Sequence, residues 1–236
     1  RQVIEMALAN PNIEITAIDL SPASLTFARQ MAQRYEADNI TFELLDILDV
    51  EKLGQKFDYI LCTGVLHHMA SPQAGLNALS KVVSADGIML LGFYSKLGRQ
   101  ELAGIKQQAL DYLDVEASQI TTQGVRQWRG NLSMDVAKNT PWYKVQDFFN
   151  LNGLFDLLFH PQEQAYELPQ LAQMLDIAGV NFEWMAISNQ QKAQYKQPLI
   201  ENPTPDKSEA MAFWHQFESQ HPAFFNGMFN FVVSPK

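Results

Sequence analysis

Two adjacent histidines follow an apolar run in this sequence, and they are the first candidates for chemistry. The run is Phe57–Thr63, and His67 and His68 come after a short turn that contains Gly64. An imidazole with an unperturbed pKa of about 6.5 exchanges protons near neutral pH. His67 is therefore a candidate general base or acceptor-orienting group. The alternative is that His67 caps the next helix or faces solvent, and His68 is expected to be structural.

Two other apolar runs end in carboxylates. Asp19 stands at the end of the run Ile13–Leu20, and Asp46 follows the run Ile40–Leu45. An acid at a strand end can accept hydrogen bonds from ligand hydroxyls, as the ribose-binding acid of dinucleotide-binding folds does. Two alternatives stay open: Asp19 is a turn residue, or Asp49 takes the place of Asp46 in a shifted register.

A third group of candidates follows the apolar run Ile88–Phe93. Tyr94 and Arg99 lie just beyond it, where they could reach a bound substrate. The guanidinium of Arg99 suits a carboxylate or a phosphate because its planar fork presents parallel donors. His160 is a further candidate for substrate contact.

The spacing of Asp156, His160 and Glu163 also raises the question of a metal. These residues fall at i, i+4 and i+7, on one face of a helix if the helix extends that far. Helices usually end before a proline, and Pro161 interrupts this stretch. We therefore predict substrate contact or a local hydrogen-bond network for these side chains in preference to a metal site.

Bringing these residues together requires a parallel sheet. Up to residue 94 the patterns run helix, strand, helix, strand, short helix, strand, helix, strand, and Ser-Pro pairs at Ser21-Pro22 and Ser71-Pro72 mark two helix starts. Such alternation predicts an α/β fold with helices on both faces of a mostly parallel sheet. Ligands then bind beyond the carboxyl ends of the strands.

The alternation breaks over residues 95–164 and then resumes. This stretch holds helical patterns and many aromatic residues, and we predict a helical cap over the carboxyl edge of the sheet; the alternative is packing on one flank. Val180–Ile187 and Met228–Val233 are the final strands, and Gln197–Pro205, with three prolines, is predicted to be a loop. The prediction is one domain over 1–236, with a core of 1–94 and 165–236.

Composition narrows the class of protein. The chain has 236 residues, of which 47% are hydrophobic, enough for a sizeable core. The net charge of −9 makes nucleic acid an unlikely partner, because backbone binding depends on Lys and Arg. Cys62 is the one cysteine, which fits a reducing compartment and a cytoplasmic location. No apolar run reaches the length of about 18 residues that a membrane span needs.

The segments FDYILCTGVLHHM and DGIMLLGFYS, together with the strand-end acids, resemble a class I S-adenosylmethionine-dependent methyltransferase. The resemblance covers residues 1–94 and about 166–236. It implies a three-layer Rossmann-like sheet whose last strand is antiparallel, S-adenosylmethionine as cofactor, and SN2 transfer of a methyl group. The residues that it assigns to the ribose, the adenine and the methionine part of the cofactor are Asp19, Leu20, Asp46, Ile47, Thr63 and Gly64.

One departure from the family concerns its glycine-rich loop and first strand. Both should stand directly before Arg1, and we expect that they are missing from the sequence given. A looser resemblance of Asp156–Leu171 and His221–Val233 is to bacterial methyltransferases fused to tetratricopeptide repeats. It implies a helical-repeat region upstream of Arg1.

The leading prediction is a methyltransferase whose acceptor, a small molecule or a protein, stays open. One alternative is a catalytically idle relative that serves as a protein-interaction module. Another is an NAD(P)-binding oxidoreductase, since an acid at the end of the second strand would also suit NAD. The final antiparallel strand pair argues against the oxidoreductase.

Overall fold

The computed structural model describes residues 2–132, 149–160, 162–201, 203, 205–225 and 227–236. The first part of the chain alternates helices and strands as predicted. Its elements are α1 (Gln2–Ala9), β1 (Ile15–Asp19), α2 (Pro22–Arg34), β2 (Ile40–Leu44), β3 (Phe57–Thr63), α3 (Pro72–Val82) and β4 (Val83–Ser95), with 3-10 turns at Ile47–Leu53 and Leu66–His68.

The second part contains the end of the core and the helices of the segment that was predicted to be a cap; their position over the carboxyl edge of the sheet stays a prediction. The described cap helices are α4 (Gln100–Leu113), α5 (Thr122–Asn131) and α6 (Leu151–Phe159), with a 3-10 turn at Ala117–Gln119. The remaining elements are β5 (Ala165–Tyr166), α7 (Leu168–Ala178), β6 (Val180–Met185), α8 (Asn189–Gln194), α9 (Lys196–Glu201), α10 (Lys207–Gln220) and β7 (Met228–Pro235). Residues 133–148 of the predicted cap lie outside the described residues.

The strands form a mostly parallel arrangement with an antiparallel end. β1 and β2 are parallel partners in a two-stranded sheet, and the second sheet has the order β3-β4-β7-β6, with β5 beside β4. β3 and β4 are parallel, while β7 is antiparallel to β4 and to β6. The predicted α/β class and the final antiparallel pair are therefore confirmed. Among the described strands β1 and β3 each pair along one edge only, and a further strand upstream of residue 1 stays a prediction.

Two Ser-Pro pairs start the helices that carry the chain back from the carboxyl edge. The hydroxyl of Ser21 accepts a hydrogen bond from the Ser24 N–H at 3.2 Å, and that of Ser71 accepts one from the Ala74 N–H at 3.3 Å. Each side chain satisfies a donor that the helix leaves unpaired, and the proline that follows has none to satisfy. Because each helix begins within a few residues at a fixed proline, the chain turns away from the sheet soon after the strand ends.

Two boundaries differ from the sequence prediction. β4 spans Val83–Ser95 and not only the apolar stretch Ile88–Phe93, because Val83 also pairs with Phe57 of β3 and a register shift carries the ladder on to Ile88. Lys196–Glu201 forms helix α9 inside the stretch that was predicted to be a loop. That prediction was wrong for these residues because a proline in the first turn of a helix costs no hydrogen bond, and Pro198 lies there.

The main core packs α3, α7 and α10 against β3, β4, β6 and β7. Its fully buried side chains include Phe93, Phe231 and Trp214, and the rings of Phe93 and Phe231 stack with centroids 6.1 Å apart. The described cap helices form an apolar cluster of their own, which includes Val125 and Trp128. None of the helices in the described ranges combines the length and the apolar character that crossing a membrane demands.

A buried polar pair lies at the carboxyl end of β4. The hydroxyl of Ser95 donates a hydrogen bond to Glu218 of α10, and both side chains are buried. The same hydroxyl accepts the Gly98 N–H at 2.8 Å, so it joins the core to the start of the cap. Burial raises the pKa of Glu218 to about 7, the Ser95 hydrogen bond opposes the shift, and the charge of Glu167 adds to it.

Candidate active site

The two predicted cofactor acids lie at the same end of the β1–β2 ladder. Asp19 is in register with Leu44, the last residue of β2, and Asp46 follows two residues later. The Oδ1 atom of Asp19 accepts the Ser21 N–H at 2.8 Å, and Oδ1 of Asp46 accepts the Leu48 N–H at 2.9 Å. Asp19 thus does act as a turn residue. These bonds orient both carboxylates at the sheet edge, and neither bond excludes a ligand at the same group.

The structure separates Asp46 from its shifted-register alternative. Asp49 lies one turn further along the 3-10 helix, where its carboxylate pairs with the Lys52 ammonium at 2.8 Å. Asp46 is the cap of that helix and is adjacent to the end of β2. The geometry therefore favours Asp46 over Asp49 as the acid that faces a ligand.

Large apolar side chains are exposed beside these acids. Leu20, which follows β1, is 67% exposed, Leu48, which follows β2, is 49% exposed, and Val65, which follows β3, is 42% exposed. Each of these side chains follows the carboxyl end of a strand, which is where ligands of an open parallel sheet bind. The predicted adenine wall, Ile47, is instead half-buried and packs against core side chains of α3 and β3. The sequence analysis missed Leu48 and Val65, because an exposed and a buried apolar residue look alike in sequence.

The end of β3 supplies an open backbone. Gly64 has a φ of +75°, and a Cβ atom added there would meet no atom within 4 Å. Glycine is the residue that adopts this left-handed conformation without strain. The neighbouring Thr63 is in register with Gly92, where a Cβ would approach the Thr63 Cβ to 2.9 Å. Gly92 is thus required by packing, whereas Gly64 leaves space in which a ligand can approach the backbone.

The aromatic ring of Tyr94 is the centre of a three-membered stack. The centroid of the His67 ring lies 3.8 Å from the Tyr94 centroid, and the Cζ atom of Arg99 lies 3.7 Å from it. Groups this close to one ring centre must lie on opposite faces, since on the same face they would overlap. Tyr94 is therefore enclosed between a histidine from the loop after β3 and an arginine from the start of the cap.

Glu163 holds the guanidinium of Arg99 in this stack. Nε of Arg99 donates to Oε1 of Glu163, and Nη2 donates to Oε2, each at 2.8 Å. Nη2 also donates to the Leu157 carbonyl at 3.0 Å. The fork that was predicted to bind a substrate anion is thus engaged by a carboxylate of the same chain, and the substrate role of Arg99 stays a prediction.

A local hydrogen-bond network was one of the roles predicted for Glu163, but its partner Arg99 was not predicted. Glu163 lies 64 residues after Arg99, so no local pattern connects the two. Among the residues that the structure describes, no group of three His, Cys, Asp or Glu side chains is placed to hold a metal ion.

His67 is fully buried in this stack. The pKa of His67 is lowered to about 3. Burial is the largest cause, the charge of His68 acts in the same direction, and a polar contact with the Gly92 backbone opposes the shift. The alternative that His67 faces solvent is therefore wrong. A buried ring that stays neutral at pH 7 is a weak base, so the geometry favours an orienting function over proton abstraction.

The loop that carries both histidines is tied to the segment that leaves the cap. The carbonyl of His67 accepts the Gln164 N–H at 2.9 Å, and Nδ1 of His68 contacts the Gln162 carbonyl at 2.8 Å. The ring of His160, a predicted substrate residue, lies over His68 with centroids 4.0 Å apart. The structure thus brings His67, Tyr94, Arg99 and His160 to one place.

Fold and site together define a class I S-adenosylmethionine-dependent methyltransferase. The profile of the methyltransferase domain family matches residues 1–153, and the chain belongs to this family. The cofactor of the family is S-adenosylmethionine.

Relatives and solved structures agree with this class. The chain is 31% identical over 219 residues to an uncharacterized protein of a Synechococcus strain, covering 90% of this chain and 52% of that protein. It is 33% identical over 89 residues to the tRNA U34 carboxymethyltransferase of Campylobacter lari, covering 38% of this chain and 31% of the relative. The chain therefore spans about half or less of the length of these relatives.

Among solved structures, PKMT2 from Rickettsia typhi matches with a TM-score of 0.66. The match covers 99% of this chain and 46% of PKMT2 at 16% sequence identity. A second structure, PKMT2 in complex with AdoHcy, matches with a TM-score of 0.62 at 15% identity. At these identities the likeness shows the fold.

Proposed function

We propose that this chain binds S-adenosylmethionine at the carboxyl edge of β1, β2 and β3 and transfers the methyl group to an acceptor beneath the cap. The observation that carries the proposal is that two oriented carboxylates, exposed apolar side chains and the open backbone at Gly64 each follow the carboxyl end of one of these strands. These residues fit the cofactor, since it has hydroxyls and an amino group to donate hydrogen bonds, an apolar base to cover and a methionine part that needs room.

The cofactor supplies a methyl group on a sulfonium, which is reactive enough to need no further activation. Asp19 and Asp46 would accept hydrogen bonds from it, and Leu20 and Leu48 would exclude water from its base. Alignment of acceptor and methyl in an effectively unimolecular step lowers a barrier by up to about 7–11 kcal/mol in model systems. The chain contributes mainly binding and orientation.

Methylation of a hydroxyl or an amine would release a proton to solvent, and the cofactor would supply the methyl group and remain as a neutral thioether. We expect His67 to orient the acceptor, because a group whose pKa is about 3 accepts a proton poorly at neutral pH. Its role as the base, the earlier hypothesis, stays a prediction.

The acceptor class, the partners and the location are also proposals. Curated relatives carry names as different as tRNA U34 carboxymethyltransferase and ubiquinone biosynthesis O-methyltransferase, so the family admits acceptors of several chemical classes. The net charge of −9 favours a small molecule or a protein over nucleic acid. The cytoplasmic location and the upstream helical-repeat region stay predictions.

Calorimetry with AdoHcy on the natural full-length protein tests the cofactor site. We expect the change Asp19→Ala to weaken AdoHcy binding by about 10- to 100-fold, since a hydrogen bond to a charged group is worth roughly 1.5–3 kcal/mol. The matched control is Asp49→Ala, which removes an acid that pairs with Lys52 on the same edge segment. Absence of AdoHcy binding to the unaltered protein would refute the proposal, and binding of NAD in its place would favour the oxidoreductase. Unchanged partner binding without cofactor binding would favour the idle module.

A further inference from the structure

The two ends of the described cap meet at one ion pair. Arg99 is the residue that begins α4, and Glu163 stands between the end of α6 and β5. The side chain of Arg99 is 7% exposed and that of Glu163 is 24% exposed. Removing one partner of such a buried ion pair is strongly destabilising, because the other partner is left as an uncompensated buried charge.

The arginine of this ion pair contacts the ring stack that contains His67. The guanidinium lies 3.7 Å above the Tyr94 ring centre, and the His67 ring lies 3.8 Å from that centre on the other face. Movement of the guanidinium therefore frees the Tyr94 ring, and the ring of His67 loses its cover in turn. Glu163 reaches this stack through its two hydrogen bonds to Arg99, and its charge also acts on His68, whose ring centroid lies 4.4 Å from that of His67.

We propose that Glu163 and Arg99 are positioning residues of the methyl-transfer site, which clamp Tyr94 against His67 and so fix the wall on which the acceptor is aligned. The inference rests on the proposed function for the meaning of that wall, but the clamp itself can be measured without an acceptor. A pair that only adds stability would leave the environment of His67 unchanged when Glu163 is neutralised. A clamp would not.

The ionisation of His67 reports the state of the clamp. The charged or titratable groups that lower its pKa are His68 on its own loop, Arg99 at the start of the cap and His160 at its end. With the clamp closed, the His67 ring is buried and stays neutral between pH 5 and 8. If Arg99 swings into solvent, water and the loss of that positive charge both raise the pKa of His67. If Arg99 stays in place without its partner, its unbalanced positive charge lowers the pKa of His67 further. The pKa of His67 therefore rises in the first case and falls in the second.

Nuclear magnetic resonance of the histidine ring nitrogens tests the proposal, with His67 assigned by comparison with a His67→Gln variant. We expect Glu163→Gln to raise the titration midpoint of His67 by at least one pH unit. The matched control is Glu167→Gln, because Glu167 forms a 3.0 Å ion pair with Lys96 between the same two segments but on the exposed surface. It should leave the His67 midpoint where it is.

Two outcomes would overturn the inference. One is a Glu163→Gln protein that melts at lower temperature yet keeps the His67 midpoint of the unaltered chain. The other is an equal shift in the Glu167→Gln control. If Glu163→Gln does not fold, Glu163→Asp keeps the charge on a shorter arm and should give a smaller rise of the midpoint, whereas no rise would count against the clamp.

Calorimetry with AdoHcy on the same samples separates this inference from the proposed function. We expect Glu163→Gln to bind AdoHcy within a factor of about two of the unaltered protein, since the clamp lies on the acceptor side. An unaltered protein that binds no AdoHcy would defeat the proposed function, while the ring titration would still report whether the clamp exists.

Discussion

The two sheets of the molecule are packed very differently. β4 and β7 place alternate side chains in a fully buried layer, whose members are Met89, Leu91, Phe93, Phe229, Phe231 and Val233. β1 and β2 contain no buried residue, and in the described part of the chain they pack against two small clusters, one around Ile4 and Ala32 and one around Val50 and Val82. Yet the predicted cofactor acids, Asp19 and Asp46, belong to the lightly packed sheet. In the described part of the chain, most of the packing thus lies apart from the two predicted cofactor acids.

The largest expected effect comes from breaking the well-packed sheet. The change Phe231→Ala removes a ring that is fully buried between Phe93 and Phe182, with centroid distances of 6.1 Å to each. We expect a loss of about 3–5 kcal/mol in the free energy of unfolding, measured by chemical denaturation. Phe27→Ala is the matched control on the other side of the comparison, because Phe27 of α2 is 61% exposed. Its effect should stay within about 0.5 kcal/mol, and equal losses in the two variants would contradict the contrast.

A smaller effect concerns the buried carboxyl group of Glu218, which packs beside the second sheet and should make stability depend on pH. Because the folded-state pKa of Glu218 is raised to about 7, this group favours folding below its unfolded-state pKa, and that contribution is lost as pH rises through about 7. We expect the unaltered chain to lose roughly 1–3 kcal/mol of stability relative to Glu218→Gln between pH 5 and 8.

Denaturation curves at four pH values across that range would measure the difference. Glu209→Gln, an exposed residue on the same helix, is the control and should show no such relative change. Stability curves of Glu218→Gln and the unaltered chain that run parallel across the range would count against the buried-charge account.

The smallest effect is expected where the two regions meet, at the end of β3. Gly64→Ala places a Cβ on a residue with φ of +75°, and the strain should cost about 1–2 kcal/mol. Gly54 is a close match, with φ of +67° and equally open surroundings. Both alanine variants should lose similar stability in denaturation, but only Gly64→Ala should weaken AdoHcy binding in calorimetry. Equal binding by the two variants would place the cofactor away from Gly64.

Local chemistry explains why much of the fold could be predicted. The bounds of β3 match the predicted run Phe57–Thr63, which is apolar apart from Asp58 and its terminal Thr63, although Asp58 and Tyr59 are exposed in the structure. The helix starts at Pro22 and Pro72 were also predicted, because a serine cap and a proline act within three residues of sequence. Features set by neighbouring residues are visible in the sequence.

Features set by distant residues were not visible. The pairing of Arg99 with Glu163 joins segments that only the fold brings together, and the burial of His67 results from rings on β4 and beyond. The sequence identified His67 as a site candidate, but it left open a solvent-facing position that the structure excludes. An apolar residue such as Leu48 likewise reveals its exposure only when the strand ends are in place. Tertiary contacts, and not local propensity, decide these properties.

The ion pair that joins the two ends of the cap also has an evolutionary consequence. Because Arg99 and Glu163 pair, the described segments that lead into and out of the cap lie side by side. The entropy of closing a loop rises only with the logarithm of its length, so insertions and deletions between such paired segments cost little. The chain between them can be lengthened, shortened or rewritten while the strand ends stay in position. Members of a lineage could therefore acquire new acceptors by exchanging the cap and keeping the same cofactor edge.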